Sequence, residues 1–162
     1  MTHNLNMILK LGNPKLYEIS RPLKEDDLHE AMEKARIMAG LVAEYRSRHG
    51  AGRAIAAPQI GYMRRMIVLN ITRPQMLINP RLEDKSNEMI ELWDDCMSFP
   101  GLLVKVHRHK SCRIRFLDEN WKEQSWWLED DLSELLQHEC DHLDGILATQ
   151  RAVDSRSFCM NE

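Results

Sequence analysis

Apolar positions set the first reading of the chain. Over residues 26–49 they recur at helical spacing, at Leu28, Met32, Ala35, Ala39, Val42 and Tyr45. That spacing predicts a long helix with one buried stripe. Asp26 or Asp27 stands where it can cap the start, and Gly50 where it can end the helix. Further along, the period shortens. Residues 66–70 read as a strand, 76–78 as a shorter one ended by Pro80, and 89–93 as another. Residues 102–106 alternate weakly. Residues 112–117 alternate clearly, with Ile114 and Phe116 on one side and Arg113 and Arg115 on the other. Asp118-Glu119-Asn120 is turn chemistry, so residues 124–128 are expected to return as the second arm of a hairpin. Residues 8–14 read as an extended entry into a turn. Residues 50–61 are mostly small and read as a tight, buried connection. A short last strand is expected at 146–149, and a loose tail beyond it, from about 150 to 162. With a shorter helix near residue 138, this pattern predicts an α+β domain, single over residues 1–162.

Charge and composition narrow the function classes. The 162 residues carry 22 Lys and Arg against 25 Asp and Glu, a net charge of −3. That balance gives no electrostatic case for binding nucleic acid or an anionic membrane. No apolar run is long enough to span a bilayer. The start, Met1-Thr2-His3-Asn4, has no basic region followed by an apolar core, so no secretion signal is expected. A reducing compartment, the cytoplasm, follows. Cys96, Cys112, Cys140 and Cys159 are then read as thiols or ligands rather than disulfides.

The strongest chemical signal is Gln137-His138-Glu139-Cys140-Asp141-His142-Leu143-Asp144-Gly145. His138 and His142 are four apart, which puts both on one helix face, where they can hold one metal ion. Glu139 sits between them and can reach a water at that metal. This is the H-E-x-x-H pattern of metal-dependent hydrolases. Leu135, Leu136 and Leu143 give the helix a face to bury, Asp130 or Asp131 can cap it, and Gly145 is a natural stop. A catalytic site built on two histidines needs a third protein ligand. Cys140 is poorly placed, about 200° around the helix from His138 at ~3.6 residues per turn. Cys96, between a strand and turn residues, is the best candidate. Cys112, Cys159, His107 and His109 are weaker ones.

The chain resembles the peptide deformylases. Residues 52–59, Gly-Arg-Ala-Ile-Ala-Ala-Pro-Gln, resemble that family's G-x-G-L-A-A-x-Q. Residues 94–98, Asp-Asp-Cys-Met-Ser, resemble E-G-C-L-S, and residues 137–145 fit Q-H-E-x-x-H-L-x-G. Residues 8–16 also look like the family's start, so the resemblance runs from the N-terminus to about residue 149. It implies one divalent metal ion held by Cys96, His138 and His142, usually Fe2+ in the cell, with Zn2+, Ni2+ or Co2+ as substitutes. A thiolate-bound iron would make the enzyme sensitive to oxygen. The implied reaction is removal of the formyl group from the N-terminal methionine of new polypeptides. The partners would then be formylated peptide N-termini, met at the ribosome. In that scheme Glu139 is the proton carrier, and the Gln59 side-chain amide and the Met97 backbone N–H stabilise the oxyanion.

Several positions depart from the family pattern. Ala54 stands where the family has a second glycine, and Asp95 where it has glycine before the cysteine. Both lie along the groove in which an extended peptide pairs with the backbone. Asp94 replaces glutamate and is shorter, so its reach toward a backbone or arginine partner is expected to loosen. Arg53 occupies a position that is usually aliphatic. Counting back from His138 by four and seven gives Glu134 and Asp131 on the same face. Arg53, Ala54, Asp95 and Glu134 are therefore the candidate substrate-binding residues, in a pocket more polar than methionine calls for. Other readings are a deformylase-like amidase for a different N-acyl group, a metal-retaining but weakly catalytic binding module, and a peptidase.

Overall fold

The computed structural model describes residues 3–161. Leu5–Met7 and Pro14–Tyr17 each form a 3-10 turn, capped by the side chains of Asn4 and Asn13. The long helix α1 spans Leu28–His49 and ends at Gly50, whose φ of 71° is the left-handed conformation glycine adopts freely. It starts two residues later than residue 26, because Glu25–Asp27 form a 3-10 turn first. Asp27 occupies the cap position without capping. Its carboxylate instead accepts from the Lys24 N–H and from Arg64.

Eight strands follow. They are β1 (Ala54–Ala56), β2 (Met66–Asn70), β3 (Pro74–Glu83), β4 (Met89–Asp94), β5 (Leu102–His109), β6 (Ser111–Leu117), β7 (Glu123–Glu129) and β8 (Phe158–Met160). One antiparallel sheet has the order β1-β2-β3-β6-β7, and a second has the order β4-β5-β8. The second helix, α2, spans Asp130–Leu143. The molecule is thus α+β with antiparallel sheets and one long helix.

The differences from expectation are local and have physical causes. Pro80 does not end β3. The strand slips register between Ile78 and Arg81, and Asn79 takes φ 49° there. The Asn79 side chain meanwhile bonds both the N–H and the carbonyl of Leu23. A bulge absorbs the missing donor of a proline. Residues 146–149 form no strand; Ala148–Arg151 is a 3-10 turn instead. The expected loose tail is also corrected, since β8 pairs with β5 and Lys105 N–H donates to the Ser157 carbonyl. Neither Asp130 nor Asp131 caps α2. The cap position is Glu129, whose side chain makes no capping hydrogen bond and accepts from the Trp127 indole N–H instead.

Two apolar clusters pack the helices on the five-stranded sheet. One apolar cluster joins α1 to the sheet through Met38, Leu41 and Val42 against Ile55, Met66 and Val68. A second joins the other sheet face to α2 through Leu135, Leu136 and Leu143 against Ile67, Leu77 and Ile114. Ile114 and Phe116 point inward, as the alternation predicts. No described helix is long and apolar enough to cross a membrane.

Candidate active site

Helix α2 is buried from Ser133 onward and is tied down at its middle and at its C-terminal end. Gln137 Oε1 accepts from the His109 N–H at 2.9 Å, and its Nε2 donates to the His109 carbonyl at 2.8 Å. At the C-terminal end, Arg65 donates to the Leu143 carbonyl at 2.9 Å and pairs with Asp144 at 2.9 Å. Such a cation satisfies carbonyls that a helix end leaves free. Gly145 then turns with φ 72°, against the Tyr17 backbone.

On this rigid helix His138 and His142 face each other, with their Nε2 atoms 3.2 Å apart. Cys96 Sγ lies 3.4 Å from His142 Nε2. All three residues are buried, and one donor atom from each lies within 4.8 Å of the others. Cys96 comes from the loop just after β4. Two imidazole nitrogens and a sulfur converging without an acceptor between them suit one shared cation, so the donor set fits a metal. His142 Nδ1 is buried and has no hydrogen-bond partner among the described residues.

His138 is oriented from behind. Its Nδ1 is 2.8 Å from Asp94 Oδ2, which leaves Nε2 facing Cys96 and His142. Arg108 donates to the same Asp94 oxygen at 3.1 Å and to Asp141 at 2.6 Å. Burial works against charging His138. The Asp94 carboxylate outweighs it, with Cys96 adding to the effect, and the affinity for a proton rises well above that of an ordinary histidine. His142 is driven the other way, by burial and then by the positive His138. Asp94 therefore reaches both partners, against the expectation that a shorter side chain loosens them. Which arginine Asp94 would meet, Arg108, and its bond to His138 are not assigned by local sequence reading, because these contacts span many residues.

A cavity of about 350 Å3 opens beside this cluster. Gln59, Cys96, Met97, His138 and Glu139 all line it. Glu139 Oε1 is buried and has no hydrogen-bond partner among the described residues. Burial pushes its carboxyl up to about 7, with His138 opposing and Asp94 adding. Gln59 sits in the 3-10 turn Ala57–Ile60, after β1. Its Oε1 accepts from the Ala56 N–H at 2.9 Å. Its Nε2 points to Ser98 Oγ at 3.1 Å and Cys96 Sγ at 3.5 Å. The amide orientation is thus fixed with the N–H side toward the cluster. Residues 9–11 hold both loops together, through Leu9 N–H to the Gln59 carbonyl and Leu11 N–H to the Ser98 carbonyl.

Arg53, Ala54 and Asp95 also line the cavity. Glu134 does not reach solvent freely; it pairs with Arg53 at 2.9 Å. Asp95 is exposed, and its φ is not positive, so its backbone does not demand glycine. Ala54 lies on the edge strand of its sheet. Asp131 is exposed. The weaker ligand candidates lie elsewhere. His107 pairs with Glu91, His109 bonds the Ser86 carbonyl, and Cys112 lies against Ser133. Cys159 is exposed, and Cys140 is buried in the apolar cluster under α2.

The chain is similar to known proteins in both sequence and fold. The family model described as polypeptide deformylase matches residues 5–157. Peptide deformylase 1 of Prochlorococcus marinus is 35% identical, with 93% of this chain and 82% of that protein aligned. Peptide deformylase of Leptospira biflexa is 31% identical over 96% of this chain and 92% of its own. Among solved structures, the peptide deformylase of Thermotoga maritima superposes with a TM-score of 0.84 at 25% identity, covering 95% of this chain and 99% of that one. That of Synechococcus elongatus, in complex with actinonin, gives 0.81 at 27% identity over 91% and 79%.

Proposed function

The chain belongs to the polypeptide deformylase family and removes the N-formyl group from the N-terminal methionine of new polypeptides; we propose that Cys96, His138 and His142 hold the metal for this hydrolysis and that Glu139 carries the proton. The observation that supports this most directly is the meeting of the three donors beside an unpartnered, buried Glu139 in an open cavity. A divalent ion held there supplies Lewis acidity and lowers the pKa of water. Fe2+ is the proposed native ion, with Zn2+, Ni2+ or Co2+ as substitutes.

The residues of the chain divide the remaining work. Glu139 takes the proton of the attacking water and returns it to the leaving amine. Its affinity for a proton, raised by burial, suits both steps near neutral pH. The Gln59 amide, fixed by its bond to the Ala56 N–H, donates to the developing oxyanion. The Met97 N–H, which no hydrogen bond among the described residues uses, is the second donor. Asp94 holds the His138 ring so that its Nε2 stays aimed at the ion. The peptide lies along the open edge of β1, where Ala54 is, and pairs with its backbone. Sidewalls at Arg53 and Asp95 meet the first substrate side chain, with Glu134 behind Arg53.

The chain acts as a single domain in the cytoplasm, on nascent chains at the ribosome. The test is an anaerobic assay of Fe2+-loaded protein on formyl-Met-Ala-Ser and acetyl-Met-Ala-Ser. Formate and free amine should appear from the first only. Release of acetate at a similar rate, or cleavage of the Met-Ala bond, would overturn the reading.

A further inference from the structure

The wall of the cavity carries an ion pair that the deformylation chemistry does not use. Arg53, at the entry to β1, lines the cavity, and Glu134 of α2 holds it at 2.9 Å. The Arg53 side chain is 37% exposed and that of Glu134 only 10%. The face turned to the cavity is therefore the guanidinium, with the carboxylate behind it. A guanidinium has five N–H donors, and Glu134 is its one side-chain partner among the described residues. Donors are left over at the cavity wall.

Their position relative to the chemistry is set by the helix. Glu134 is four residues before His138, and such neighbours are about 5–6 Å apart on one helix face. The formyl carbon must lie next to the metal ligands and Glu139. A side chain of methionine length on the formylated residue spans that distance and ends near Arg53. Ala54 and Leu135 line the same cavity and give its stem apolar contact.

Resting on the deformylase reading, we infer that Arg53, held by Glu134, reads the tip of the first side chain and extends the substrate range to N-formyl residues whose side chain ends in a hydrogen-bond acceptor. A thioether tip is a weak acceptor and leaves the guanidinium N–H groups dehydrated and unpaired when it packs there. A sulfoxide oxygen or an amide carbonyl accepts from them. Glu134 serves as a positioning residue, fixing the fork so that little is lost in ordering it.

The test compares formyl-Met-Ala-Ser with its methionine sulfoxide counterpart, which adds a single acceptor oxygen at the tip. kcat/KM is measured for both on the metal-loaded parent, on Arg53→Ile with Glu134→Ile, and on the exchanged pair Arg53→Glu with Glu134→Arg. The isoleucine pair removes both charges together, so neither is left buried alone. The exchanged pair keeps the ion pair and turns a carboxylate to the cavity. The sulfoxide-to-thioether ratio should fall by about tenfold or more in both variants, the scale of one hydrogen bond to a charged group. A ratio within about threefold of the parent in both would overturn the inference. Dissociation constants for Met-Ala-Ser and its sulfoxide provide the same ratio without turnover. If the parent releases no formate from either peptide, the deformylase reading fails, and the binding ratio alone decides the role of Arg53.

Discussion

Asp94 carries two bonds through one carboxylate oxygen, to His138 at 2.8 Å and to Arg108 at 3.1 Å, and it is buried. Its acidity is accordingly strengthened; burial opposes this, but His138 and Arg108 prevail. An arginine partner is expected for Asp94, but which arginine, and the bond to His138, have no local sign, since the partners lie 44 and 14 residues away. His138, Glu139 and His142 were legible because one turn of helix fixes their geometry, whatever the rest of the fold does. Cys96 was only the best of several thiols until the fold brought Sγ to 3.4 Å from His142. Two predictions follow from these contacts. Metal analysis of Cys96→Ala should give near-complete loss of bound ion, while Cys140→Ala should retain it, because that thiol faces the apolar cluster under α2. Equal occupancy in the two variants would reject the ligand set. Glu139→Gln keeps size and leaves the ligands alone, so fold and metal content should persist while kcat falls by about 10² or more. Turnover within a few-fold of the parent would remove Glu139 from the proton path.

Among the elements, those with a strong internal period were readable and those shaped by a neighbour were not. Helix α1 and the hairpin of β6 and β7 follow their apolar spacing almost residue for residue. Strand β3 runs ten residues through Pro80 because Asn79 clasps Leu23, a contact made 56 residues away. Residues 158–160 became a strand only because β5 offered a free edge. Gly145, foreseen as a helix stop, has a second role that spacing does not reveal. A Cβ built there would lie 2.5 Å from the Tyr17 carbonyl oxygen and 2.9 Å from that of Glu18. Both are backbone atoms, and the Ser20 N–H in the same segment donates to the Leu143 carbonyl. Gly145→Ala should therefore cost the left-handed strain, about 1–2 kcal/mol, plus the displacement of residues 17–20 from the end of α2. Urea unfolding should show a clear loss of midpoint, larger than for Gly12→Ala. Gly12 also has positive φ, but a Cβ there meets nothing within 4 Å. Equal losses would mean that the Tyr17 contact carries no weight.

For the whole molecule, the net charge is small, and the pH dependence of stability comes from a few placed groups. Asp27, Asp118 and Asp154 accept backbone N–H bonds from Lys24, Lys122 and Arg156, and Glu83 pairs with Arg115; all four are held below the usual carboxylate range. A carboxylate with a lowered folded pKa stabilises above its unfolded value, about 4. That contribution is lost as pH falls through the lowered folded value. At the alkaline end the sign reverses. Burial pushes the Cys112 and Cys140 thiols up, and Tyr45 up to about 12. In the unfolded chain these groups ionise from about pH 8.5–10, while the folded chain keeps its protons. Stability therefore falls as pH rises past that range. Between those limits the metal-free protein is not flat: burial pushes the Glu139 carboxyl up to about 7, so stability also falls as pH rises from that group's unfolded value, about 4, toward 7. Thermal midpoints of chelator-treated protein give the measurement, since competition between metal and protons for Cys96, His138 and His142 is then absent. Cys140→Ala should shallow the alkaline decline and leave the acid one unchanged. An alkaline limb of the same depth in that variant would show that its buried thiol is not among the groups that set the profile.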